Sequence, residues 1–315
     1  MFKRLKYLVK LASCFRAYKK SSIHRTLQLS SNVKLVSANS GEKTPHFLFC
    51  VDEINRQQKL LVKIIAEKAD LSIERELAAF EIMNATMPAK TGFQYPRIHG
   101  HDMSVPVIVM DYVNSPSAYK LLLDEESTVQ PYEIFEKIID WLRQLHEIKG
   151  TEHGVWSAET AHGFLRGDDK VYEIKDTKYR EFAEEILISL RNEAKSMVDV
   201  EILKSFSHGD AHLGNFIWDG TELYGFDFSE WAYRVPEYDL AQLMFAFAFY
   251  CEDSFLTICE KACVLYPSIN KGRLIFMTKV MAANWMVLTM RESENFELEK
   301  GNIVDVAGKT AEVFG

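Results

Sequence analysis

Between Ser207 and Phe228 the chain reads SHGDAHLGNFIWDGTELYGFDF, a stretch that leaves few ways to fold. Asp219-Gly220 is among the strongest short hairpin signals, because both central positions of the favoured two-residue turn need positive φ. It predicts a hairpin joining Phe216–Trp218 to Glu222–Phe226, with Trp218 facing Thr221 and Asn215 facing Tyr224. Asp227 then emerges at the same end as Asn215, although twelve positions separate them. Asp210 lies just upstream, in a loop read as beginning where a helix ends. Three oxygen-bearing side chains at one end of a hairpin suit a hard cation such as Mg²⁺. Asp and Asn can ligate the metal, while a second Asp orients a hydroxyl or takes its proton, a division of labour that phosphoryl transfer uses. The competing reading is a polar hairpin with Asx turns, which any one of these residues alone would favour.

The N-terminal half carries a second constraint. Lys63 interrupts the apolar run LLVKII, where a charge without a partner is costly. After that run, Asp70 or Ser72 can cap a helix whose apolar positions Ile73, Leu77, Phe80 and Met83 follow helical spacing. Glu76 falls on the inward face of that helix, with Glu74 and Glu81 nearer its edge. Periodicity therefore predicts a Lys63–Glu76 pair; the alternative is an edge-strand lysine reaching solvent. Strands are expected at Val33–Ser37, Phe47–Val51, Leu60–Ile65 and Val105–Val113, with YPRIHG as a turn. From Pro131 onward the pattern is largely helical apart from the hairpin, so the chain is strand-rich first and helix-rich second.

His208-Gly209-Asp210, then Asn215, then Asp227 resembles the aminoglycoside phosphotransferase and choline kinase family. The downstream PEYDLAQL and the pair Arg75-Glu76 also match its pattern, and the resemblance runs in order over roughly residues 30 to 250. It implies an α+β, two-lobed, protein-kinase-like fold. Residues 30–113 would form a small antiparallel-sheet N-lobe with one helix, and 114–315 a larger, mainly helical C-lobe carrying the catalytic hairpin. By the same resemblance Asp210 is the catalytic base, Asn215 and Asp227 are Mg²⁺ ligands, and Lys63, held by Glu76, meets the nucleotide phosphates. VIVMDYVN resembles the strand and hinge that bind adenine, so the carbonyl of Asp111 and the amide of Val113 would hold the base with Met110 behind it. Read without the resemblance, that segment is a buried strand leaving its sheet. The loop over the phosphates, residues 38–44, has one glycine and no G-x-G-x-x-G, which leaves Ser40 and Gly41 as the candidates there. His208 and Asp239 are read as bracing residues, with Asp239 also capping the following helix. WLRQLHEI is read as core packing, and the last helices as the walls of an acceptor pocket.

Charge separates the two ends of the chain. Residues 1–40 hold nine Lys or Arg and no Asp or Glu, leaving 28 basic against 45 acidic residues after them. Residues 1–29 read as a basic amphipathic arm, and two readings stay open: contact with an anionic membrane, or a helix packed on the body with its lysines in water. The five cysteines include no CxxC pair. Cys259 and Cys263 could share a metal or be core thiols, and the set as a whole points to a reducing, cytoplasmic setting. No stretch is long and apolar enough to span a bilayer, and no signal-peptide core is evident.

The expected activity is transfer of the γ-phosphoryl group of ATP, with GTP left open, to a hydroxyl of a small molecule, a sugar or glycan in first place. An aminoglycoside- or choline-type amino-alcohol kinase is the alternative. A non-catalytic nucleotide-binding module is the alternative of another class. No nucleic-acid partner is expected. A protein kinase is set aside, because Gly209 stands where H-R-D has Arg, Phe-Ser follows Asp227, and no A-P-E appears.

Overall fold

The computed structural model describes residues 13–292, apart from 14, 17, 22, 25–26, 28, 40–45, 54–57, 66–71, 88–91, 125, 166–169, 198 and 252. The chain divides into two compact units, Met1–Pro116 with Ile217–Glu230, and Ser117–Phe216 with Trp231–Gly315.

The first unit is built on an antiparallel five-stranded sheet, β1 (Leu29–Asn39), β2 (His46–Glu53), β3 (Gln58–Ile65), β4 (Ile98–Asp102) and β5 (Val107–Asp111), in the order β1-β2-β3-β5-β4. Helix α1 (Ser72–Thr86) lies between β3 and β4 in sequence. The central strand β3 is buried on both faces, which is why its run is continuously apolar instead of alternating. Leu60, Val62 and Ile64 pack on one side with Val107 and Val109; Leu61 and Ile65 pack on the other with Ile73, Ile108 and Met110. Lys63 therefore shares its face with the α1 residue Ile73.

One detail of this unit differs from expectation, and another bears on two readings left open. Ile98–Asp102, whose first three residues end the YPRIHG segment read as a turn, is a strand paired with β5. Its His-Gly-His core has little strand preference, so the pairing is imposed by the neighbour. Tyr18 and Ile23, from the stretch read as an arm, belong to the hydrophobic core with Leu60 and Val109, and Phe15 packs against them. The described residues between 13 and 24 are largely helical and lie on the sheet, the second of the two readings; residues 1–12 lie outside the described residues.

The second unit contains helices α2 (Ala118–Leu123), α3 (Pro131–Leu145), α4 (Ala158–His162), α5 (Thr177–Lys195), α6 (Glu237–Phe247), α7 (Phe255–Leu265) and α8 (Lys271–Glu292). It also holds a small sheet that the helical reading missed: β6 (Lys149–Trp156), β7 (Val200–Ser207) and, after the hairpin strands β8 (Phe216–Trp218) and β9 (Leu223–Gly225), β10 (Ala232–Arg234), in the order β10-β7-β6. The loop bearing Asp210 thus begins at the end of a strand and not of a helix. In β7 the apolar Val200 and Leu203 are exposed, so no buried alternating face marked it as a strand. Cys259 is buried in α7, its thiol pushed up to about 12, chiefly by that burial, and Cys263 is also free, as core thiols would be. No helix among the described residues is long and apolar enough to cross a membrane.

The hairpin forms in a register two residues from the expected one. Asp219 N–H donates to the Glu222 carbonyl at 3.2 Å, so Gly220 and Thr221 are the central pair. Of the two, only Gly220 has positive φ, 95°, so the bend is not the type I′ turn that the Asp-Gly signal predicts, which needs positive φ at both central residues. The Asp219 carboxylate instead accepts from the N–H groups of Thr221 and Glu222, at 2.9 and 2.8 Å. Such a side-chain-to-backbone turn favours Asp just before the bend. From Ile217 on, this segment belongs to the first unit: Gly225 N–H donates to the Gln94 carbonyl, and Glu222 Oε2 accepts from Gly92 N–H.

Candidate active site

In the first unit Lys63 ends between two carboxylates. Its Nζ donates to Glu76 Oε2 at 2.8 Å and to Asp227 Oδ1 at 2.8 Å. Lys63 is 5% exposed and Glu76 1%, whereas the Asp227 side chain is 30% exposed. Burial alone would lower the lysine pKa, but Glu76 and Asp227 outweigh it and hold the ammonium well above its usual range. For Glu76, burial pushes the pKa up, opposed by Lys63 and by the N–H of Phe228. Asp227 has φ 59°, the left-handed region that Asp tolerates better than most L-residues. The residues around it fix that bend: Phe226 packs with Leu61 and Met110, and Phe228 is buried edge-on against Phe80 of α1, ring centroids 5.4 Å apart. One strand, one helix and one tight corner thus converge on a single ammonium group.

In the second unit the loop after β7 is held from α6. The Asp239 carboxylate, fully buried, accepts from Ser207 Oγ (2.8 Å), His208 N–H (2.7 Å) and Gly209 N–H (2.9 Å), and pairs with His146 Nε2 at 2.9 Å. Burial raises its pKa, yet the hydrogen bond and charge of His146, the charge of His208 and the Gly209 N–H together bring it below the ordinary value. Asp239 braces the loop as expected. It does not cap α6, whose N-cap is Pro236 without a side-chain bond. His208 is buried against Trp141 and Phe216, and its Nδ1 accepts from Asp210 N–H at 3.4 Å. Gly209 has φ 85°, so the chain turns sharply just before Asp210. Asn215 Nδ2 donates to the Asp210 carbonyl (2.8 Å) and to Asp210 Oδ2 (3.1 Å), leaving its amide oxygen as the end able to meet a cation. His212 Nε2 lies 3.5 Å from the same carboxylate oxygen.

The remaining candidates fall in three places. Met110 is buried in the cluster beside Leu61. The Asp111 carboxylate accepts from Arg97 N–H at 3.0 Å and meets His99 Nε2 at 2.7 Å, which pins the end of β5 where the chain runs on to Val113. Ser40 and Gly41 lie outside the described residues. Among the described residues, no group of three or more His, Cys, Asp or Glu could hold a metal ion. That is compatible with Mg²⁺ in a nucleotide complex, which takes one or two protein oxygens and fills its other positions with phosphate and water. The two oxygen donors expected from the sequence, the Asn215 amide and the Asp227 carboxylate, lie one in the second unit and one in the first.

The model of the Phosphotransferase enzyme family matches residues 49–257. The chain belongs to this family. It is a phosphotransferase. The matched residues include Lys63, Glu76, Asp210, Asn215 and Asp227. Solved structures share its kinase-like fold. The choline kinase LicA from Streptococcus pneumoniae is 16% identical, over 95% of this chain and 97% of that one, with a TM-score of 0.61. The amicoumacin kinase hAmiN, solved with AMP-PNP, Ca²⁺ and Ami, is 11% identical over 92% and 91%, with a TM-score of 0.61. The gentamicin complex of APH(2")-IIa is 14% identical over 93% and 96%, with a TM-score of 0.58. No curated protein matches the chain.

The structure of this phosphotransferase adds residues that sequence reasoning passed over. His146, read as core packing, is the buried partner of Asp239; its position at the end of WLRQLH was noted, but no periodicity distinguishes a bonded core histidine from a packed one. In the second unit a cavity of about 150 Å³ is lined by the rings of Phe164, Tyr238 and Trp285, the amides of Gln242 and Asn284, and aliphatic Met281 and Leu288. Among the described residues its lining includes no carboxylate and no cation; residues 166–169, which follow Phe164, and those after 292 lie outside them. Two of its walls, α6 and α8, are helices; α8 holds the MAANWMVLTM segment, among the last helices expected to wall an acceptor pocket, and its Trp285 is 52% exposed.

Proposed function

We propose that this phosphotransferase moves the γ-phosphoryl group of ATP to a hydroxyl of a sugar or glycan, with Mg²⁺ as its metal. The observation that carries the reading is the buried Lys63 ammonium held between Glu76 and the partly exposed Asp227. A lysine needed only for packing would not be desolvated beside two carboxylates, since burying ions is costly. In this reading Glu76 keeps Lys63 extended toward the nucleotide phosphates, and Asp227 and Asn215 offer oxygen to the metal. Asp210, held by Asn215 and by the braced loop, orients the acceptor hydroxyl and takes its proton. Met110, with the backbone of Asp111 and Val113, receives the base, and Ser40 and Gly41, outside the described residues, are the sequence's candidates for the phosphate loop. ATP and Mg²⁺ supply the transferable group and neutralise its charge.

The cavity in the second unit supports the acceptor assignment. Rings can lie against the C–H faces of a sugar while Gln242 and Asn284 reach its hydroxyls, the usual mixture of apolar wall and few polar groups. Among the described lining residues no carboxylate meets the ammonium groups of a polyamine-like amino sugar, whose unpaired burial costs several kcal/mol each. One observation favours a second reading: three rings, with no acid among the described lining residues, also suit a quaternary ammonium alcohol, which has no N–H to satisfy. The basic stretch before residue 13 supports contact with an anionic surface. Cosedimentation with phosphatidylserine vesicles, with and without residues 1–12, tests that separately.

The deciding experiment incubates the protein with γ-labelled ATP, Mg²⁺ and a cell extract, beside Asp210→Asn. Products are separated into small polar, lipid-glycan and protein fractions, with choline and a monosaccharide panel as defined acceptors. The expected result is label in a sugar-bearing fraction, reduced on the order of 10²–10⁴-fold in the variant. Label on choline alone selects the second reading. Transfer to none of them, with nucleotide still bound, overturns the proposal in favour of a binding module.

A further inference from the structure

We propose that Gln242 is a positioning residue that fixes the peptide on both sides of Asp210 and ties it to whatever fills the ring-lined cavity. The inference rests on the reading of Asp210 as the base. Gln242 Nε2 donates to the Gly209 carbonyl at 3.2 Å, and its Oε1 accepts from Ala211 N–H at 2.9 Å. These two bonds bracket Asp210. They run in opposite directions, so one amide orientation satisfies both; the flipped amide would set NH₂ against N–H and oxygen against oxygen.

Asp239, one turn earlier on α6, holds Ser207, His208 and Gly209, all upstream of the base, from a fully buried position. Gln242 reaches past Asp210 to Ala211 and is only half-buried, because its side chain is also a wall of the cavity. Gly209, with its positive φ, gives the loop no steric stiffness of its own. An acceptor touching Gln242 would therefore press on the same amide that sets the Asp210 peptide. A displacement of about 1 Å at a reacting group can cost on the order of 10²-fold in rate.

The test uses the full-length protein and two variants, Gln242→Met, which keeps the shape and loses both bonds, and Gln242→Glu, which keeps an acceptor for Ala211 and loses the donor to Gly209. The first readout is hydrogen exchange at the Ala211 amide, which requires no assumption about activity. The second is turnover of Mg-ATP with water as acceptor, beside the affinity for Mg-ATP. In Gln242→Met we expect Ala211 to exchange at least about tenfold faster and turnover to fall about 10–100-fold, with Mg-ATP affinity within about twofold and the melting temperature nearly unchanged. Gln242→Glu should fall between the parent and the Met variant, and it carries the same test if the Met variant does not fold. A generally destabilising effect would instead move affinity and melting together. Unchanged Ala211 exchange overturns the clamp, and faster exchange with parental turnover overturns the positioning role. A parental rate in Asp210→Asn overturns the base assignment, and the positioning role with it, while the exchange result still stands by itself.

Discussion

Lys63 Nζ lies 2.8 Å from Asp227 Oδ1, although 164 positions separate the two residues in sequence. Together with Glu76 they form one electrostatic unit, and removing the ammonium leaves a buried carboxylate beside a second one. Breaking a buried ion pair costs about 3–5 kcal/mol, so Lys63→Met should lose a stability of that order in urea unfolding. Lys63→Met with Glu76→Leu should recover part of the stability, because no unpaired charge remains buried. Phosphate transfer should stay low in both. Recovery of transfer in the double variant would show that the lysine serves the fold alone.

Asp239 makes acid stability testable with a definite sign. Its folded pKa lies below the ordinary value, so it contributes stability above about pH 4, the unfolded carboxyl pKa. That contribution is lost as pH falls through the lower folded value. Stability should therefore drop less steeply between about pH 4 and pH 2 in Asp239→Asn than in the parent, while at neutral pH the variant should already be the weaker protein. Parallel acid limbs in the two unfolding series would contradict this.

Gly100 in β4 faces Ile23, and a Cβ added at Gly100 would collide with the Ile23 side chain. Gly100→Ala should cost about 1–3 kcal/mol by overpacking, and the cost should vanish in an Ile23→Ala background. A double-mutant cycle by chemical unfolding reads this coupling directly. Additive losses would mean that the segment around Ile23 does not rest on the sheet in solution.

Gly220 isolates the cost of a conformation. A Cβ there meets no atom within 4 Å, so Gly220→Ala should lose only the left-handed penalty, about 1–2 kcal/mol. Gly220→Asn should lose less, since Asn tolerates that region. Equal losses for Ala and Asn would point to something other than backbone strain.

How much of this was legible in the sequence depended on whether the signal was local. Lys63 inside LLVKII and Glu76 on the inward face of the next helix are periodic features, and the pair they predict is the one the structure forms. Asp227 as the second partner of that lysine could not be read by periodicity, since it comes from a corner 164 positions away. Strand β4 was invisible because its partner β5, and not its own residues, makes it a strand. β7 was hidden for the opposite reason, two of its apolar residues, Val200 and Leu203, lying exposed. The Asp-Gly signal located the hairpin but misplaced its register, because the Asp219 side chain captures two backbone N–H groups and moves the bend one residue on. In DLAQ, Asp239 was read as a brace, while Gln242 gave no sign of its two backbone bonds. A neutral side chain at helical spacing looks the same whether or not it holds a loop.

The first unit is not one run of chain, and this has a consequence for its birth on the ribosome. Lys63 and Glu76 emerge early, but the residues that complete their surroundings, Phe226, Asp227 and Phe228, follow only after the 100 residues of Ser117–Phe216. At about 5–20 residues per second that interval lasts roughly 5–20 s. Throughout it a nascent sheet carries Lys63, and the helix beside it Glu76, while the segment that closes over them has not yet been made. Any release, pause or truncation in that window yields a chain with the strands in place and the corner missing. Such a product would be a substrate for chaperones and proteases well before it could be a phosphotransferase.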